Sequence, residues 1–175
     1  MLRSFLGQEP VLGCRVFVDE SAVVIGRVDL ADEVSIWPCV SIRGDLMWIK
    51  IGSRSNIQDN SCLHTSRPSE SNPEGCPLTI GEDVTVGHSV TLHGCTVNNR
   101  VLIGMGSVVL DAAIIESDVI VGAHSLVPPG KILESGFLYL GSPVKKIRAL
   151  TKKEHDFLRV SATNYVNLKE NYLTG

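Results

Sequence analysis

Three histidines are the residues in this chain best suited to chemistry. His88 and His93 lie five positions apart in GHSVTLHG (87–94), and His64 closes NIQDNSCLH (56–64). Neutral imidazole is a common ligand for divalent metals, and three of them on an ion with an open fourth position lower the pKa of a bound water to about 7. Such a triplet would supply a hydroxide nucleophile at neutral pH. Arg43, Asp45, Gln58 and Asp59 form the polar set that accompanies the histidines. Alternation along an ordinary strand sends positions five apart to opposite faces. A different period must therefore place these side chains.

That period is six. An apolar residue recurs at Val18, Val24, Leu30, Ile36, Ile42 and Trp48, and four residues after each of the first five stands Ala22, Val28, Val34, Val40 or Leu46. The rule returns at Ile51, Ile57 and Leu63, then at Ile80, Val86 and Leu92. After a one-residue slip it resumes at Val97, Ile103, Val109, Ile115, Val121 and Val127. A hexapeptide period means a parallel β-helix, in which short strands stack coil on coil. Helices need a period near 3.6 and simple strands a period of 2.

The repeat gives each side chain an address. First and fifth positions face the core, and the other four mostly face out. His64, His93, Arg43 and Gln58 are second positions, His88 and Asp59 are third, and Asp45 is fourth. With three walls per coil, and with the three extra residues between Ile42 and Ile51 and the segment 65–77 treated as excursions, the walls can be counted. Wall one then carries Arg43 and Asp45 and, one and two coils on, His64 and His93. Wall three carries Gln58 and Asp59, with His88 stacked on Asp59. Adjacent strands are about 4.7–4.9 Å apart, so His64 and His93 can reach one ion. His88, on another side of the prism, can complete that site only from a second subunit. A homotrimer with three interfacial metal sites closes the arrangement, since cyclic symmetry uses heterologous interfaces.

Composition narrows the class. The chain has 175 residues, a net charge of -3 and no basic run, so neither nucleic acid nor another polyanion is an expected partner. No apolar stretch reaches the roughly 18 residues of a membrane span, and a cytoplasmic location is expected. The five cysteines, Cys14, Cys39, Cys62, Cys76 and Cys95, are odd in number and never spaced C-x-x-C, which argues against a disulfide framework and a thiolate zinc site.

One domain is expected over 1–175. The β-helix would span 11–135, with a Pro-, Gly- and Ser-rich loop inserted at 65–77. Thr151 and Glu154 form a T-x-x-E capping box ahead of a helix over 151–173. Leu158, Ala162, Tyr165, Leu168 and Tyr172 give that helix one apolar stripe to pack on the prism.

IRGD (42–45), NIQDNSCLH (56–64), TIGEDVTVGHSVTLHGC (79–95) and YLGSPVK (139–145), in this order and spacing, resemble the γ-class carbonic anhydrases of the hexapeptide-repeat superfamily, including their bacterial carbonic anhydrase-like branch. The resemblance runs from about Val11 to the terminal helix. It implies an all-β fold, a single-stranded left-handed parallel β-helix followed by a C-terminal α-helix. The left hand comes from the resemblance alone, because the usual crossover preference is right-handed. It further implies a trimer holding zinc, with ferrous iron and cobalt as alternatives, on His64, His88 and His93. Carbon dioxide and bicarbonate would be interconverted there by a metal-bound hydroxide. Arg43 and Asp59 would pair between subunits, Asp45 would accompany Arg43, and Gln58 would hydrogen-bond the bound water. Tyr139 falls where the family often has a tyrosine near the site.

The chain departs from the family's strongly active members at one point. Some of these carry a proton-shuttling glutamate directly after the Arg-Gly-Asp motif and another in the inserted loop. Here Leu46 follows Asp45, and only Glu70 and Glu74 are candidates in the loop. Weak activity is compatible with this. Two other functions share the prism: an acyltransferase using acetyl-coenzyme A, and a structural trimer that keeps a metal for stability. Fold alone does not decide among them, whereas three convergent imidazoles favour the metal enzyme. His124 and His155 read as solvated surface residues, and Cys62 and Cys95 as inert thiols.

Overall fold

Burying one apolar residue in six, with a second four residues later, requires the chain to turn a corner after every hexapeptide. The computed structural model describes residues 1–70 and 72–174. Ser71, inside the loop expected at 65–77, and Gly175, the end of the expected domain, lie outside the described residues. The chain winds as a left-handed parallel β-solenoid of about eight turns, followed by the helix Lys152–Thr174. Among the described residues the strands form a 12-stranded and an 8-stranded sheet.

The 12-stranded sheet holds two walls because two strands run around a corner instead of breaking there. Val23–Leu30 pairs in parallel with Ser41–Ile51, and the register shifts between Gly26 and Val28. Wall one continues through Cys62–His64, Thr91–His93, Val108–Val109 and Leu126–Val127. Wall two continues through Leu78–Ile80, Thr96–Val97, Ile114–Ile115 and Ile132–Leu133. The 8-stranded sheet is wall three and carries Asn56–Ile57, Thr85–Val86 and Leu102–Ile103. The winding runs on to Phe137–Leu140, which pairs in parallel with Ile120–Val121, and the antiparallel strand Lys145–Ala149 covers its end.

The core is a column of stacked Val, Ile and Leu, with Ile36, Ile42, Ile57, Leu63, Val86, Leu92, Ile103 and Val121 all fully buried. Two expected core positions do not belong to it. Leu46 and Trp48 are part exposed, and Ile49, paired with Val28, is buried instead. The three extra residues shift the fifth position of that hexapeptide from 46 to 49. The resulting bend is fastened where Arg27 Nη2 donates to the Leu46 carbonyl (2.6 Å) and the Met47 amide donates to Thr65 Oγ1 (3.1 Å).

The corner between walls two and three carries one charged residue per coil, in alternating sign: Arg15, Glu33, Arg54, Asp83, Arg100 and Asp118. All six have the positive φ that a non-glycine residue adopts only at some cost. Arg54 Nε lies 2.7 Å from Asp83 Oδ1 and Arg100 Nε lies 2.8 Å from Asp118 Oδ1. A ladder of one sign would repel itself, whereas this alternation neutralises neighbouring coils.

The helix begins at the expected capping box, with the Thr151 amide donating to Glu154 Oε2 (2.8 Å) and the Glu154 amide to Thr151 Oγ1 (3.3 Å). It packs on wall three, burying Leu158 and Ala162 and setting Tyr165 and Tyr172 against Trp37. Leu168 does not join the stripe and is 42% exposed. Lys169 is buried in its place. Its Nζ meets Glu33 Oε2 (2.6 Å) and Glu170 Oε1 (2.5 Å), which offsets the burial of its charge.

Candidate metal centre

His64 and His93 are register partners on adjacent parallel strands of wall one. Their rings are part-buried, and His64 Nδ1 faces His93 Nε2 at 3.1 Å. Each ring's other nitrogen meets a carboxylate. His64 Nε2 lies 3.0 Å from Asp45 Oδ1, and His93 Nδ1 lies 2.7 Å from Asp111 Oδ1. A carboxylate can only accept, so the protons belong on His64 Nε2 and His93 Nδ1. The facing nitrogens then present two lone pairs to each other, an arrangement that a shared proton or a metal ion between them relieves. Zn–N bonds of about 2.0–2.1 Å at the tetrahedral angle set two nitrogens about 3.3 Å apart, close to the observed separation. The donor set therefore fits a divalent ion, and a carboxylate on the outer nitrogen is the usual support for a ligating histidine.

Asp45 reaches His64 because Ser41–Ile51 bends at the inserted residues. Burial alone would raise the pKa of its carboxyl, but hydrogen bonds from Arg43 and His64 and the Arg43 charge hold it below the ordinary carboxylate range. Arg43 Nη1 lies 2.5 Å from Asp45 Oδ2.

His88 stands at the corner where wall three turns into wall one, and His93 stands at the far end of wall one. The corner turn at His88 and Ser89 and the strand Thr91–His93 lie between them. Among the described residues no three His, Cys, Asp or Glu side chains of one chain gather to hold a metal. His88 Nδ1 lies 3.0 Å from Asp59 Oδ2, the stacked partner that the wall count expects. Within one chain Arg43 thus pairs with Asp45 and Asp59 with His88. Gln58 is 5% exposed and donates through Nε2 to Asn56 Oδ1 (3.1 Å), whose Nδ2 donates to Thr85 Oγ1 (3.1 Å). The Thr85 and Ser161 hydroxyls, 2.9 Å apart, carry this chain of hydrogen bonds to the helix.

Two cavities flank these groups. One of about 640 Å³ is lined by His64, His93, Leu46, Ser66, Arg67 and Asp111 among others, and neither Glu70 nor Glu74 lines it. The other, of about 300 Å³, brings Gln58, His88 and Met105 together with Phe157 and Tyr165 of the helix. Tyr165 lines this second cavity, whereas the Tyr139 ring is buried and its hydroxyl accepts from the Glu134 amide (2.8 Å). Burial raises the Tyr165 phenol pKa, and the Asp59 charge adds to it. Burial likewise pushes the Cys95 thiol up, with the Asp111 charge adding to the effect.

Asp111, beside His93, is a candidate-site residue that the histidine spacing misses. The repeat count contains its signal: Val109 opens a wall-one hexapeptide, so Asp111 is a third position one coil beyond Gly94.

No family model matches the chain. Over 173 residues it is 61% identical to Protein YrdA of Escherichia coli (strain K12), a match covering 99% of this chain and 94% of that one. It is 46% identical over 154 residues to a carbonic anhydrase of Geobacillus kaustophilus (strain HTA426), covering 88% of this chain and 81% of that one. Among solved structures it matches a hexapeptide transferase family protein from Anaplasma phagocytophilum with a TM-score of 0.91 and 38% identity, over 98% and 97% of the two chains. With this identity spanning the coils that carry His64, His88 and His93, the chain belongs to the γ-class carbonic anhydrase family of hexapeptide-repeat proteins.

Proposed function

We propose that the protein is a carbonic anhydrase that interconverts carbon dioxide and bicarbonate at a divalent ion, zinc by expectation, held between the subunits of a homotrimer. The observation that carries this reading is the 3.1 Å approach of His64 Nδ1 and His93 Nε2, each ring held from behind by a carboxylate. His88, backed in the same way by Asp59, stands on a different corner and is offered to a neighbouring subunit. Such an ion supplies an acidified water, with a pKa near 7, as the nucleophile.

The remaining steps belong to the protein's own groups. Asp45 and Asp59 fix the rings of His64 and His88, and Arg43 keeps Asp45 charged. Gln58 is held by Asn56 at the wall-three half of the site, with its carbonyl oxygen left to accept from the nucleophile. Leu46 gives the cavity beside His64 an apolar surface suited to an uncharged, apolar gas. The carboxylate in that cavity, Asp111, is engaged by His93 and Ser66, and with Leu46 after Asp45 none stands there to take up the released proton, so turnover is slow. The five cysteines, all free thiols, suit the reducing cytoplasm.

Stopped-flow carbon dioxide hydration by zinc-loaded protein tests this reading. Hydration above the uncatalysed rate, abolished in His88→Ala, is the expected result. A His88→Ala rate equal to the parent's, or acyl transfer from acetyl-coenzyme A by the metal-free protein, would overturn it in favour of the acyltransferase reading.

A further inference from the structure

Asp111 links two parts of the molecule that the proposed metal site does not by itself connect. Its Oδ1 is 2.7 Å from His93 Nδ1, and its Oδ2 accepts a hydrogen bond from Ser66 Oγ (3.0 Å). Ser66 lies at the base of the inserted loop, where its backbone pairs with Cys76 in both directions (3.1 and 2.9 Å). Asn72, further along the loop, donates through Nδ2 to Cys76 Sγ (3.0 Å). One carboxylate therefore grips a histidine with one oxygen and the loop with the other.

Room for this contact comes from Gly94, the residue after His93. Gly94 has φ +53°, and a Cβ there would collide with Asp111 Oδ1 and stand 2.6 Å from Cys76 Cβ. Any other residue at 94 would push the carboxylate and the loop base apart.

We infer that Asp111 is a positioning residue that fixes His93 with its proton on Nδ1 and Nε2 free, and that couples the loop 65–77 to the metal-binding wall. The ligand role of His93 comes from the proposed function; the orientation of its ring does not. Without Asp111 nothing selects the Nδ1–H form, and His93 would spend part of its time with a proton on the nitrogen that faces His64. Ser66 in turn holds the carboxylate plane, so filling the site and ordering the loop base reinforce each other.

The test compares Asp111→Leu, similar in size but without an acceptor, with Asp111→Asn, which keeps an oxygen for Nδ1–H. Zinc affinity of the trimer, by competition with a chromogenic chelator, should fall about 10–100-fold in Asp111→Leu and stay within about fivefold of the parent in Asp111→Asn. Histidine-selective 15N NMR of the metal-free protein should show His93 protonated on Nδ1 in the parent and in Asp111→Asn, and mixed in Asp111→Leu. Hydrogen exchange at the Ser66 and Cys76 amides should speed up in Asp111→Leu and in Ser66→Ala. Parental affinity in Asp111→Leu, or a parent His93 protonated on Nε2, would overturn the inference. A parent that binds no zinc would refute the proposed function, and the NMR and exchange measurements would still decide the role of Asp111.

Discussion

His64 and His93 stand at paired positions on neighbouring parallel strands, with Nδ1 of one ring facing Nε2 of the other at 3.1 Å. Both Cβ atoms point away from the core, so neither imidazole contributes to the apolar column that holds the prism together. Removing either should therefore separate metal binding from folding. His64→Ala and His93→Ala are each expected to lower zinc affinity by at least about 100-fold, since two ligands remain where three are needed. The thermal midpoints of the metal-free variants should stay within a few degrees of the parent, as surface changes usually cost under about 0.5 kcal/mol. Chelator competition and calorimetry on the same samples check both halves.

Leu46 lines the cavity beside the histidine pair, where no carboxylate of the loop does. Proton removal should then rely on solvent. The hydration rate of the parent is expected to rise with imidazole buffer concentration. In Leu46→Glu the buffer-independent rate should increase by about 10-fold or more, within the range for a positioned general base. Stopped-flow runs across a buffer series measure this, and a parent rate indifferent to buffer would contradict it.

Much of the prism and the sites was legible because hexapeptide addresses are rigid. Once Ile42, Leu63 and Leu92 are assigned to one wall, the pairing of His64 with His93 and of Asp59 with His88 follows from counting. The errors have local physical causes. Leu46 is apolar and in phase, but the bend fastened by Arg27 advances the core position to Ile49. Leu168 is apolar and Lys169 is charged, yet the helical period places 169 on the packed face, where Glu33 and Glu170 compensate it. Tyr139 was suggested by resemblance, whereas Tyr165 lines a cavity with Gln58 and His88 because the helix folds back over wall three. Asp111 and the alternating corner charges were in reach of the same count, which placed Asp45 and Asp59 but was not carried to Asp111 or to the corner positions.

The corner ladder makes an acid-stability prediction. The bidentate Arg100 pair holds the Asp118 carboxyl below the usual range, against an opposing effect of burial. A depressed folded-state pKa contributes stability above the unfolded value, about 3.9, and that contribution is lost as pH falls through the folded value. Arg100→Gln should cost about 1 kcal/mol at pH 7. The difference from the parent should shrink as pH falls below about 4, the unfolded-state value. Urea midpoints at each pH measure it; a difference that persists unchanged at acid pH would assign the loss to packing.

Lys169 is the buried charge that anchors the helix to the first coils, and Glu170 extends the network to Arg15. Lys169→Ala leaves Glu33 without its ammonium partner and should destabilise the protein by about 3 kcal/mol. Lys169→Met combined with Glu33→Leu removes both charges and should recover most of that loss, because a well-packed apolar pair can replace a buried ion pair. Urea unfolding at matched protein concentration checks both, since association shifts apparent stability.

Subunit mixing tests the central claim most directly. A chain carrying His88→Ala retains His64 and His93, and a chain carrying His64→Ala and His93→Ala retains His88. Neither variant alone should hold zinc. Refolded together in equal amounts, about three quarters of random trimers contain both kinds of chain and each such trimer regains one of its three sites, giving about a quarter of the parental zinc per chain. Recovery of that fraction, with carbon dioxide hydration in proportion, is the predicted result. Zinc retained by either variant alone at the parental level, or none recovered on mixing, would contradict a site shared between subunits.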